Sequence, residues 1–188
     1  MKRSSTVILS LAGLAMLTAG CGYNRIQTLD EKVNQGQGQI QTQLQRRADL
    51  IPNLVNTVKG ITKQEDTVFI SIANARAKLS GAVQSGSVGD MSAANAALTQ
   101  GLGRLLAIAE NYPELRSSEN FKQLQDQLEG TENRISVARQ DYNAAVNEYN
   151  AYIRRFPYNL TAKVFGMGKP REYFEAEPGA TETPKVQF

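Results

Sequence analysis

From Ile40 onward the apolar positions recur in alternating steps of four and three: Ile40, Leu44, Arg47, Ile51, Leu54, Val58, Ile61, Glu65, Val68, Ile72, Ala75 and Leu79. A second run behaves the same way, from Phe121 through Leu124, Leu128, Thr131, Ile135, Ala138, Tyr142, Ala145, Tyr149 and Tyr152 to Phe156. A mean period of about 3.5 keeps one stripe of a helix facing its partners and predicts long rods wound left-handedly around one another. Ser118 is placed to cap the second rod and Pro157 to stop it, so that Ser118 to Arg155 would span about 57 Å. Pro52 falls inside the first rod. An interior proline deletes one backbone hydrogen bond and costs about 3 kcal/mol, which predicts a kink or local break near Asp49 to Pro52.

Between the two runs, Gly81 to Asp90 supports no period and reads as a loop. A shorter helix follows, with Ala94, Leu98, Leu105, Ile108 and Tyr112 on one face and Pro113 at its end. Beyond Pro157, Leu160, Val164 and Phe165 predict a short last helix closed by Gly166, with Tyr173 and Phe174 folding back. The predicted fold is all-α: an elongated antiparallel helical bundle of three long helices plus a short fourth, over residues 40–174. Residues 21–39, with Gly36, Gly38 and alternating Gln, read as a polar stalk, and residues 175–188, rich in Pro, Gly, Thr and Glu, as a disordered tail.

The front of the chain has a different pattern. Lys2 and Arg3 precede an apolar and small-residue run from Val7 to Leu17, which ends in Leu17-Thr18-Ala19-Gly20-Cys21. A helix from Val7 to Ala19 covers only about 20 Å, short of a hydrocarbon core of roughly 30 Å. Residues 1–20 therefore read as a cleaved secretory signal and Cys21 as the lipidated first residue of the mature protein. Each buried methylene contributes about 0.8 kcal/mol, so several acyl chains would hold the chain on a membrane. Resemblance to bacterial lipoproteins implies thioether diacylglycerol and an N-acyl group on Cys21. With Gly22 next, and not the Asp associated with inner-membrane retention, the periplasmic face of the outer membrane is expected where the cell has one.

Composition narrows the chemistry. The formal net charge is +3, and removing Lys2 and Arg3 leaves +1 on the mature chain, too little for a nucleic-acid footprint. The chain has no His and one Cys, so His-based dyads, zinc sites and an internal disulfide are all excluded; no metal and no cofactor is expected. Polar residues that lie on or beside the apolar stripes are Arg47, Glu65, Arg76, Glu110, Glu132 and Arg139. Arg–Glu pairs that fix the helix register are one reading. A cell-wall hydrolase using paired carboxylates among Glu65, Glu110 and Glu132 is another, and it needs acids about 5–9.5 Å apart across an open cleft. A third is a self-assembling coiled coil, in which the stalk pairs with copies of itself. Tyr142, Tyr149 and Tyr152 follow the period and are expected in the core with their hydroxyls at its rim.

The stretch Arg46-Arg47-Ala48-Asp49-Leu50-Ile51-Pro52-Asn53-Leu54-Val55, with Val58-Lys59-Gly60, resembles the signature of the LemA family of bacterial membrane proteins. So do Glu65, Ala75-Arg76, Glu110-Asn111-Tyr112-Pro113-Glu114-Leu115, Glu132, Ala138-Arg139, Tyr142-Asn143, Tyr149-Asn150 and Phe156-Pro157. The resemblance runs in order from about Tyr23 to Phe174. It implies a long-helix antiparallel bundle, anchored at its N-terminus and facing out of the cytoplasm, and it transfers no catalytic activity. Many members carry an N-terminal transmembrane helix where this chain has Cys21, and often a His where it has Gln64. The expected function is a non-enzymatic interaction or scaffold module of the envelope, held to the membrane by lipid and bound to an envelope protein.

Overall fold

A computed structural model describes residues 2–60 and 66–175, with backbone only up to residue 21. These residues form six helices: α1 (Lys2–Lys59), α2 (Asp66–Ser85), α3 (Val88–Ala109), α4 (Pro113–Ser117), α5 (Glu119–Arg154) and α6 (Tyr158–Val164). The fold is an all-α helical bundle. Among the described residues no helix is long and apolar enough to cross a membrane. The chain divides into two compact units, Met1–Gly36 with Asp141–Glu172, and Gln37–Gln140 with Tyr173–Phe188.

In the first unit α1 and α5 run antiparallel. Lys32 pairs with Glu148 at 3.5 Å, and a Cβ on Gly36 would lie 3.1 Å from the Tyr142 Cα, while one on Gly22 would meet the Tyr158 ring. Residues 21–39, expected as a polar stalk, are helical throughout, and Ile26, Leu29 and Val33 are buried. The three-and-four rule thus extends back from Ile40 through Gly36, Val33, Leu29 and Ile26. Glycine hides this in the sequence: Gly36 occupies a stripe position because the α5 backbone comes too close for a side chain.

After α6, Gly166 takes φ 74° and the chain turns back along α5 as an extended strap. Tyr142, Tyr149 and Asn150 hold the strap. The hydroxyls of Tyr149 and Tyr142 donate to the carbonyls of Met167 (2.9 Å) and Glu172 (2.8 Å). Asn150 exchanges two bonds with the Arg171 backbone, donating from Nδ2 at 2.9 Å and accepting at Oδ1 at 2.8 Å. The Arg171 guanidinium reaches Asp30 at 2.7 Å. Phe156, expected at the end of the α5 stripe, is instead 78% exposed. Beyond Tyr142 the buried apolar and aromatic positions of α5 are Val146, Tyr149 and Ile153, following the natural 3.6-residue turn of the helix, so the stripe leaves the strict heptad track.

In the second unit, the rod expected from Ile40 to Leu79 is two antiparallel helices. α1 stops at Lys59 before Gly60, and α2 returns along it, with Gln37 Nε2 donating to the Gly86 carbonyl (2.8 Å) and Gln41 Nε2 to the Val83 carbonyl (3.4 Å). Each of the two helices buries one face, which is why their stripes read as one; Ile61 and Glu65, between them, lie outside the described residues. The loop expected at Gly81–Asp90 shrinks to Gly86 and Ser87: α2 runs through Gly81 to Ser85, Gly86 takes φ 71°, and the Ser87 hydroxyl caps α3 by accepting from the Asp90 amide. Gly101 lets α3 approach α2, since a Cβ there would sit 3.1 Å from Ile72 Cγ1. Phe174 is buried, as the fold-back of this segment requires. The tail expected at residues 175–188 lies, after Glu175, outside the described residues.

Burial is the main cause that raises the phenol pKa of both Tyr142 and Tyr149 above the ordinary 10.0. A raised folded-state pKa contributes stability that is whole below pH 10.0 and is lost as pH rises through the higher folded values. Tyr142→Phe with Tyr149→Phe should therefore flatten the alkaline fall in stability while costing about 1 kcal/mol per lost hydroxyl at neutral pH. Urea unfolding of both proteins between about pH 8 and about pH 11 measures the difference.

Candidate functional site

The polar side chains with chemical potential gather in the second unit, where α1, α2, α3 and α5 meet around Arg47. Arg47 sits on the α1 stripe between Leu44 and Ile51, so the helix period drives it inward, and it is only 4% exposed. Its Nη1 donates to Asn95 Oδ1 of α3 at 2.6 Å and forms an ion pair with Glu132 of α5. Its Nη2 donates to Thr99 Oγ1 at 3.0 Å, one turn further along α3. The guanidinium thus ties three helices together. Glu132 stands at the edge of this core, with 39% of its side chain exposed.

A second guanidinium works beside it. Pro52 lies inside α1, and of the kink or local break expected near Asp49 to Pro52 the break does not occur: the helix continues through it. Having no N–H, Pro52 leaves the carbonyl of Ala48, four residues earlier, without its usual helical donor. Arg76 Nε of α2 donates to that carbonyl at 2.9 Å. A side chain from the neighbouring helix thus supplies the hydrogen bond that proline removes.

The remaining expected site residues lie elsewhere. Glu110 is the exposed C-cap of α3, eleven residues past Thr99, hence roughly 16 Å further along the helix axis. Arg139 lies on α5 with its guanidinium 5.2 Å from the centre of the Phe174 ring, and its Nη2 donates to the Glu175 carbonyl at 3.0 Å. Glu65 lies outside the described residues, and so does the side chain of Cys21. Among the described residues no three His, Cys, Asp or Glu side chains are grouped to hold a metal ion. Sequence reasoning passed over Asn95 and Thr99. Asn95 carried a signal: it stands between Met91 and Leu98 on the apolar face of α3, where only a polar partner from another helix suits it.

This arrangement is suited to fixing helix register. The guanidinium of Arg47 is buried, so stranding it costs more than removing the whole charged pair. Glu132→Leu should destabilise the protein by about 3 kcal/mol, and adding Arg47→Met should recover most of that loss. Chemical denaturation of the two single variants and the double variant measures it; additive losses would show that the pair does not act as a unit.

Residues 36–188 match the model of the LemA family. Two proteins of Paramagnetospirillum magneticum strain AMB-1, magnetosome proteins MamQ 1 and MamQ 2, are each 29% identical over 87% of this chain and 68% of their own length. Magnetosome protein MamQ of Magnetospirillum gryphiswaldense strain MSR-1 is 27% identical over the same shares. Four of the residues that carry the resemblance stand in the polar core: Arg47 and Pro52 on α1, Arg76 on α2 and Glu132 on α5. The chain belongs to the LemA family.

Proposed function

We propose that the protein is a non-enzymatic helical module, tethered to a membrane of the bacterial envelope through lipid on Cys21 and bound there to another envelope component. The observation that carries this reading is the pairing of Glu132 with Arg47, which commits the central acid of the hydrolase reading to holding helices together. Glu110 lies roughly 16 Å along α3 from Thr99, the level at which Arg47 is held, and so well beyond the about 5–9.5 Å that a carboxylate pair at that level needs. The relatives are named for a cellular structure, the magnetosome, and their names carry no reaction; this supports an interaction role here.

The self-assembling reading loses its support on the first stretch of α1. Ile26, Leu29 and Val33, the apolar side chains a stalk would need for pairing with its copies, are already covered within one chain. The lipid tether rests on the basic pair Lys2 and Arg3, the short apolar run and the small residues before Cys21.

The expected mature protein begins at Cys21 and carries acyl chains there, and it stays with membranes through high-salt and alkaline washing. Mass spectrometry of its N-terminal peptide checks the first point, and fractionation of the Cys21→Ser variant the second. Cross-linking in intact cells should trap a defined envelope protein. An unmodified Cys21 contradicts the tether, and a chain recovered only as itself contradicts the partner.

A further inference from the structure

We infer that α6 and the turns flanking it form a second, interfacial contact with the membrane: an apolar face that lies in the headgroup region of an anionic lipid surface. The inference rests on the lipid tether proposed above. Leu160 and Val164, four residues apart, fall on one side of α6, and Phe156 stands in the turn that leads into it. They are 78%, 54% and 79% exposed, and Phe165 beside them is 55% exposed. A cluster of four large apolar side chains in solvent within ten residues marks an interaction surface.

What covers this face is indicated by its position and its charge. Tyr158 and Thr161 pack against Gly22, and the Phe165 ring lies 4.6 Å from the Tyr23 ring. α6 is therefore level with the first residues after Cys21, where acyl chains on that cysteine bring the bilayer. Arg154, Arg155, Lys163 and Lys169, in or next to the same segment, are all exposed, and no Asp or Glu occurs between Glu148 and Glu172. Exposed apolar side chains in a segment that carries arginine and lysine and no acid suit an interfacial seat about 5–10 Å into the headgroup boundary of anionic lipid. With lipid on Cys21 at one side and α6 at the other, the first unit would be held by two points, which restricts its tilt as one flexible tether does not.

The test uses the full mature protein reconstituted in vesicles containing phosphatidylglycerol, with an environment-sensitive fluorophore on a single introduced thiol. Val164→Cys reports α6. Gln35→Cys, exposed on α1 and fourteen residues past Cys21, reports a point about 20 Å further along the helix. The expected result is a blue-shifted emission at residue 164, with iodide quenching there about threefold lower than at residue 35, and a smaller difference on phosphatidylcholine alone. Equal quenching at both positions while the protein sediments with the vesicles overturns the inference and leaves the tether intact. Shielding at residue 164 that grows with protein concentration at fixed lipid assigns the face to a second copy of the chain and also overturns it. The wild-type protein reports the tether separately: uptake of the label by Cys21 means that the thiol carries no lipid, and both readings then fall.

Discussion

A proline in the middle of a long helix is the constraint around which the second unit is organised. Pro52 takes a donor away from the Ala48 carbonyl, and an unpaired backbone acceptor in a packed interior costs about 1–3 kcal/mol. Arg76 answers with a guanidinium N–H at 2.9 Å, which fixes α2 against α1 at that level. One residue before Ala48, Arg47 reaches Asn95 and Thr99 of α3 and Glu132 of α5. Two adjacent residues of α1 therefore set its register against three other helices. The short stretch from Arg47 to Pro52 is the part of α1 where these ties converge.

This accounts for the pairing of charged residues with an apolar period. A bundle packed by aliphatic side chains alone tolerates sliding by a turn, because leucine against leucine is nearly as good in the next register. A fork-shaped guanidinium that must meet an amide, a hydroxyl and a carboxylate at once is satisfied in one register only. In the first unit the same task falls to backbone-directed bonds. Tyr142, Tyr149 and Asn150 hold the strap by its own carbonyls and amide.

The sequence made the helices legible because burial on one face leaves its period in the residues. It did not make their ends legible to the same degree. Ile40 to Leu79 read as one rod, since the stripe does not record a reversal at Gly60. Gly81 to Asp90 read as a loop because three glycines inside or beside helices look like punctuation, although of these only Gly86 takes a left-handed conformation. Gly36 disguised a buried position as a polar one. In the polar core, Arg47 and Glu132 could be picked out as charges on a stripe, but not their partners: Asn95 and Thr99 come from a helix about fifty residues away in sequence. The role of Arg76 was harder still to see, because its partner is a main-chain carbonyl that only the position of Pro52 identifies.

The most direct test of this account is a double-mutant cycle on Pro52→Ala and Arg76→Met, read by equilibrium unfolding. With Pro52 present, Arg76→Met should cost about 1–3 kcal/mol, since the Ala48 carbonyl loses its donor. In the Pro52→Ala background, where the substituted residue brings its own N–H, the same Arg76 substitution should cost much less. An equal loss in both backgrounds would mean that Arg76 does not stand in for the missing amide, and the explanation of how α1 passes through Pro52 would be wrong.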